Sequence, residues 1–323
     1  MSTKTFPDVQ IIHGDCNDIL RMMSKKCVDC VYLDPPFNSG RNYVLDHNSQ
    51  IGFKDKWTND DYRTFITTLI DNIIPLMKST ASLFFHISAD QMFIPEVILR
   101  EKFKHVTPIF WKKSRSKNNV KKKLGTAIDI LFWCNNGSKR KFNLLYQPKD
   151  PYYEAHSFKN KDARGNYALG HLVTEKSKSN GYKYSFTVSD RVFNPAAGWR
   201  IRREALEKLE QDDRLHVPTK ATANLYKKIY LHENPGKPCM DLWDDIYSIA
   251  QGKETRKYPT AKPIKLLERI IKMTTDEGDV VLDPMAGSGT SGQAAKQLKR
   301  KCILIDQNHD AVNIMKDRLH IHN

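Results

Sequence analysis

An apolar run, Val31-Tyr32-Leu33, stops abruptly at Asp34-Pro35-Pro36-Phe37. The β-branched and aromatic residues before the acid fit a buried strand, and a proline pair has no N–H with which to extend a ladder, so the strand must end there. A carboxylate is thereby left at a strand's carboxyl end. Pro35 and Pro36 also leave the loop with carbonyl acceptors and few competing donors, which suits an amino group. Phe37 adds a flat apolar face. Together these features describe a pocket for an exocyclic amine on a planar heterocycle, with Asp34, Pro35, Pro36 and Phe37 as the catalytic candidates.

Strands and helices alternate around this point. Val9 to His13 reads as a strand ending in Gly14-Asp15, and the spacing of Phe65, Leu69, Ile73 and Leu76 predicts a helix over Asp60 to Met77. Ala81 to Ile87 follows as a strand, Phe93 to Phe103 as a helix, and His105 to Trp111 and Ala127 to Trp133 as two more strands. After a long interval come an amphipathic helix, Ile264 to Met273, and the strands Val280 to Asp283 and Lys301 to Asp306. Such alternation means an α/β fold, a doubly wound and mostly parallel sheet of seven strands. The interval, residues 147–240, lacks this periodicity and is rich in tyrosine, lysine, glycine and asparagine, with one convincing helix at Arg202 to Leu209. It reads as an insertion between residues 1–146 and 241–323, and 323 residues suffice for a substantial core.

A second motif follows the strand at Val280. Asp283-Pro284-Met285-Ala286-Gly287-Ser288-Gly289-Thr290 is a glycine-containing loop opening a helix, and Asp306 ends a strand about twenty residues beyond the glycines. At that spacing a carboxylate meets ribose hydroxyls in doubly wound folds. The strands ending in Asp34 and Asp283 must then lie side by side.

Asp-Pro-Pro-Phe after an apolar strand resembles the catalytic motif of DNA amino-methyltransferases, which methylate adenine-N6 or cytosine-N4, and the glycine loop resembles their S-adenosylmethionine loop. The resemblance implies a Rossmann-like methyltransferase fold, circularly permuted, with the catalytic motif preceding the cofactor motif as in the class termed beta. It implies S-adenosylmethionine as cofactor, held by Asp15, Asp34, Thr260, Lys262, Asp283, Met285, Gly287, Ser288, Gly289, Thr290 and Asp306. Tyr258-Pro259-Thr260-Ala261-Lys262-Pro263 resembles the family's Pro-Thr-Gln-Lys-Pro segment, with Ala261 where glutamine is usual and Met285 where phenylalanine is commoner. Thr260 and Lys262 are the candidates for the methionine carboxylate. In this family the insertion holds the target recognition region. The acid at Asp34 favours adenine over cytosine, and two alternatives stay open: a cytosine-N4 enzyme, and an inactive DNA-binding protein of the same fold.

Charge points the same way. The chain carries 52 basic against 37 acidic residues, a formal charge of +15, which favours a polyanionic partner. Seven of the basic residues, Lys112, Lys113, Arg115, Lys117, Lys121, Lys122 and Lys123, form one stretch without an acid, better explained by phosphate contacts than by a solvated face. Arg41, in the polar loop after Phe37, and Trp199 and Arg200, in the insertion, complete the expected contacts to double-stranded DNA. A restriction endonuclease partner and a homodimer are compatible with this reading. Six cysteines fit a reducing compartment, Cys27 and Cys30 lack a second pair for a zinc site, and His320 and His322 lack convergent partners, so no metal is expected. With no apolar run long enough for a bilayer and no signal segment, the expected place is the cytosol of a bacterium or phage host, without membrane contact.

Overall fold

The run that ends at Asp34 is a central strand of an eight-stranded sheet. The computed structural model describes residues 8–44, 51–114, 124–147, 149–175, 180–248 and 261–321. The sheet comprises β1 (Val9–His13), β2 (Val28–Leu33), β3 (Met77–Ser88), β4 (His105–Lys112), β5 (Ile128–Asn135), β6 (Leu242–Trp243), β7 (Val280–Asp283) and β8 (Lys301–Asp306), in the order β1-β8-β7-β2-β3-β5-β4-β6. Every neighbouring pair is parallel except where β5 runs antiparallel to both β3 and β4. The seven expected strands are all present. The eighth, β6, is a two-residue edge pairing with Phe110 and Trp111 of β4, too short to carry an apolar period.

Helices cover both faces, and the alternation of side chains along β2 explains how. Val31 and Leu33 point into a core shared with α1 (Cys16–Met22), α2 (Asn59–Ile73) and α3 (Phe93–Lys102), through Leu20, Ile66, Leu69, Ile98 and Leu99. Cys30 and Tyr32 point the other way, into a core built with α4 (Ile264–Thr274), α5 (Thr290–Gln297) and α6 (His309–Leu319), through Leu266, Ile270, Ala294, Ala295 and Met315. A strand buried on both faces cannot alternate apolar with polar, which is why β2 reads as an unbroken apolar run after Asp29. Within this core the burial of Cys30 pushes its thiol up to about 12, the state of a packed rather than a reactive sulfur. Among the described residues no helix is long and apolar enough to cross a membrane, and no group of three or more His, Cys, Asp or Glu side chains could hold a metal.

From β2 the chain proceeds to β3 on one side, and from β7 to β8 on the other. Side chains and loops at the carboxyl ends of β2 and β7 therefore border the crevice where strand order reverses.

This sheet belongs to one of two units into which the chain divides, Met1–Leu145 with Pro238–Asn323; the other is Tyr146–Lys237. The second unit contains a four-stranded antiparallel sheet, ordered Leu215–His216, Tyr226–Tyr230, Gly165–His171 and Asn160–Asp162. A hairpin, Phe186–Val188 with Arg191–Phe193, turns through Ser189 and Asp190, whose φ values of 49° and 59° give the two left-handed residues a tight hairpin needs. Leu172, Phe186, Trp199, Leu206 and Leu225 form its core, with Leu206 supplied by the helix Arg203–Gln211.

Candidate active site

β7 pairs with β2 through Val281 and Cys30 and through Leu282 and Val31, so Asp283 and Asp34 emerge side by side at the same edge of the sheet. Between them opens a cavity of about 540 Å³, within the range of small-molecule sites. Asp15, Asp34, Pro35, Pro36, Phe37, Lys262, Asp283, Met285, Gly287, Ser288, Thr290 and Asp306 all line it. Thr260 lies outside the described residues. Gly289 is not a lining residue; at φ 73° it starts α5, and a Cβ there would lie 2.7 Å from Met315 Cγ, so glycine is needed both for its backbone and for packing.

The catalytic loop is fastened from several sides. The Lys262 ammonium donates to Asp34 Oδ2 and sits 5.4 Å from the centre of the Phe37 ring. Asp34 Oδ1 is buried and has no hydrogen-bond partner among the described residues. The Tyr62 hydroxyl donates to the Pro36 carbonyl at 2.8 Å. Beyond Phe37, the buried Asp55 carboxylate accepts from the backbone N–H groups of Asn38 (2.6 Å) and Ser39 (3.0 Å), and Asn38 Oδ1 accepts from the backbone N–H of Trp57 at 2.8 Å. The polar loop after Phe37 is thus anchored at its start. Trp57 Nε1, also at the cavity, is a buried donor with no partner among the described residues.

On the glycine-loop side, Asp306 accepts from the backbone N–H of Gly287 through Oδ2 and from that of Asn308 through Oδ1, each at 2.8 Å, which ties the loop to the end of β8. Burial raises its carboxyl above the ordinary range. Asp283 is fully enclosed. Burial pushes it up to about 7, against the opposing pull of the Ser291 hydroxyl at 2.5 Å and the Met285 N–H at 3.2 Å. Asp15 caps α1 through Oδ1, accepting from Asn17 and Asp18 N–H groups at 2.9 and 3.3 Å. Acceptors for hydroxyls at Asp15 and Asp306 and a carboxyl poised to ionise at Asp283 make the cavity fit a cationic nucleoside with an amino-acid tail.

His86 is not among the residues that the sequence motifs single out. It is buried at the carboxyl end of β3, with Nδ1 3.5 Å from Asp34 Oδ1 and 2.8 Å from the Tyr32 hydroxyl, and with Nε2 3.3 Å from Asp129 Oδ2. Lys113 donates to Asp129 Oδ1 at 2.6 Å. Burial would raise Asp129, but the hydrogen bond to His86 and the hydrogen bond and charge of Lys113 hold it below the ordinary carboxylate range. One signal was available: an acid inside the apolar run Ile128-Asp129-Ile130-Leu131 must find a partner when buried.

The DNA-contact candidates fare differently. Lys113 is committed to Asp129 and so is withdrawn from phosphate. Trp199 is 0 % exposed; its indole stacks on Tyr184 at 5.5 Å and donates to the Tyr184 carbonyl at 2.8 Å, so it is core and not a base contact. Arg200 spends Nε on the Val173 carbonyl at 2.9 Å and places its guanidinium 3.5 Å from Glu175. Lys112 is half-buried at the end of β4, while Arg41 is described only as part of a strand, Arg41–Val44. Arg115, Lys117, Lys121, Lys122 and Lys123 lie outside the described residues.

Residues 28–317 match the model of a family described as DNA methylase. Among curated relatives, the type II methyltransferase M.EcaI of Enterobacter cloacae is 24 % identical over 308 residues, covering 93 % of this chain and 66 % of that protein. The chain thus spans just under two thirds of that relative's length. The DNA adenine methyltransferase YhdJ of Escherichia coli K12 is 24 % identical over 311 residues, covering 96 % of the chain and 82 % of the relative. Among solved structures, the M1.HpyAVI–SAM complex superposes over 97 % of this chain and 100 % of its own, with a TM-score of 0.52 and 19 % identity, a likeness of fold.

Proposed function

The chain belongs to the DNA methylase family, and on that footing we propose that it transfers the methyl group of S-adenosylmethionine to the exocyclic amine of adenine in duplex DNA. The observation that carries this reading is Asp34 Oδ1, a buried carboxylate oxygen without a hydrogen-bond partner among the described residues, at the mouth of β2, while Lys262 neutralises its twin. A buried acceptor in that state costs free energy unless a ligand donates to it. An amine can.

When bound, the cofactor supplies an electrophilic methyl group on a sulfonium centre. Asp34 Oδ1 and the Pro35 carbonyl accept the two amine hydrogens and favour a pyramidal nitrogen, whose lone pair is otherwise delocalised into the ring. Phe37 gives the ring an apolar face, and Pro36, fixed by Tyr62, sets where that face lies. Asp15 and Asp306 serve the hydroxyls, and Lys262, beside Asp34 in the cavity, is the candidate for the amino-acid carboxylate. Fixing nitrogen and methyl in line supplies up to roughly 7–11 kcal/mol of the barrier reduction in well-oriented systems. The base must leave the duplex to reach the cavity, at a cost of a few kcal/mol that contact with Phe37 offsets in part.

Adenine is favoured over cytosine by the acid at Asp34 and by the name carried by YhdJ, the more fully covered relative. Residues 146–237, the separate unit, take the part of a target recognition region, and the basic stretch from Lys112 to Lys123, apart from Lys113, that of a phosphate contact. A restriction endonuclease reading the same sequence is the partner this role implies. Incubation with methyl-labelled S-adenosylmethionine and a mixture of duplex DNA, RNA and nucleosides is the test. Label on duplex DNA is the expected result; label confined to RNA or nucleosides, or none at all, overturns the reading.

A further inference from the structure

His86 stands between two carboxylates of different standing. Asp129 is committed: it accepts from Lys113 at 2.6 Å and faces His86 Nε2 at 3.3 Å. Among the described residues Asp34 Oδ1 has no hydrogen-bond partner, and His86 Nδ1 lies 3.5 Å from it. An ionised carboxylate can only accept, so the contact to Asp129 places the imidazole proton on Nε2 and leaves the Nδ1 lone pair for the Tyr32 hydroxyl at 2.8 Å. The rings of Trp111 and Phe37, 5.5 and 5.6 Å from the imidazole, complete the enclosure. Among the described residues the charged and titratable groups facing His86 are therefore Tyr32 from β2, Asp34 beyond it and Asp129 from β5, with Lys113 and Lys262 one contact further out.

We propose that His86 is a positioning residue that acts through Asp34: neutral, it leaves Asp34 Oδ1 open to the substrate amine, and after transfer it takes up the proton that the methylated amine sheds. The inference rests on the assignment of Asp34 as the amine's acceptor. A histidine kept only for packing needs its own hydrogen bonds met, and Tyr32 and Asp129 meet them. The approach to the one open oxygen of Asp34 is left over.

The step balances. The amine lone pair forms the bond to methyl as the sulfur–methyl bond breaks with its pair on sulfur, leaving the nitrogen one proton in excess. That proton passes to Asp34 Oδ1 and then to the lone pair of His86 Nδ1, while the Tyr32 oxygen turns from donor to acceptor. The imidazolium is then flanked by Asp34 and Asp129, and it returns its proton to solvent once product has left. If His86 is protonated beforehand, Nδ1–H competes with the amine for Oδ1. Transfer is therefore expected to slow in acid.

The test is the single-turnover rate of methyl transfer to duplex DNA from about pH 5 to 8, for the wild type, His86→Asn and Asp129→Asn. The wild type is expected to lose rate on the acid side. His86→Asn should drop the plateau about tenfold or more and lose that acid limb, with dissociation constants for DNA and cofactor within about twofold of wild type. Asp129→Asn should move the limb to lower pH, because the carboxylate that favours imidazolium is gone. If His86→Asn fails to fold, the limb in Asp129→Asn decides alone. Identical profiles in the folded variants and the wild type would overturn the inference while leaving DNA methylation standing. A wild type that methylates no DNA overturns both.

Discussion

The loop at Asp34 and the segment at Trp199 were both singled out for residue type, and they have opposite fates. Among the described residues Asp34 keeps one oxygen without a hydrogen-bond partner beside a cavity, and Lys262, Tyr62 and Asp55 fix the loop around it. Trp199 and Arg200 are consumed by their own unit: the indole N–H by the Tyr184 carbonyl, the guanidinium by the Val173 carbonyl and Glu175. A polar or aromatic side chain marks a site when the fold leaves it wanting a partner. The same side chain with its partners met is architecture.

Substitutions should separate the two cases. Asp34→Ala removes the acceptor and is expected to lower the single-turnover transfer rate by roughly a thousandfold, with DNA binding retained. Trp199→Ala should act on stability instead, costing about 3–5 kcal/mol in denaturant unfolding of the second unit, as for other buried aromatics. If Trp199→Ala folded normally and only relaxed sequence discrimination, the assignment of that residue to the core would be wrong.

A pH effect of intermediate size is expected at Asp283. Its folded-state value of about 7 lies above the ordinary carboxylate range, so its stabilising contribution is complete below pH 4 or so and is lost as pH rises through about 7. A bound cation reverses the preference. Cofactor affinity should thus rise with pH up to about 7, by at most roughly tenfold per pH unit, with proton release detectable by titration calorimetry in buffers of different ionisation heat. Asp283→Asn should flatten the dependence. An affinity independent of pH in the wild type would show that no cation lies near this carboxyl. The smallest effect concerns the basic stretch: Lys112→Ala should lower the magnitude of the salt slope of DNA binding by about 0.9, and Lys113→Ala, already paired with Asp129, should leave it unchanged.

Much of the first unit was legible because its message is local. A strand stopped by Pro35 and Pro36, a glycine loop after Asp283 and an acid at Asp306 each declare themselves within a few residues, and the adjacency of β2 and β7 follows from what the two loops must share. The His86–Asp129 contact was not legible, because it depends on β5 running antiparallel to β3, with Asp129 opposite Ser88 and Leu131 opposite His86. Alternating strands and helices predict parallel neighbours and put those two residues nowhere near each other. In the second unit, strands of two to seven residues carry too little period to fix a register, and nothing local distinguishes a tryptophan that packs from one that reads a base.

The central claim is that Asp34 Oδ1 is kept open for an adenine amine. Duplex DNA incubated with S-adenosylmethionine and either the wild type or Asp34→Ala, then digested to nucleosides and weighed by mass spectrometry, tests it most directly. N6-methyladenine is expected with the wild type and none above background with Asp34→Ala. N4-methylcytosine in place of methyladenine would contradict the choice of base, and equal methylation by the two proteins would contradict the role of Asp34.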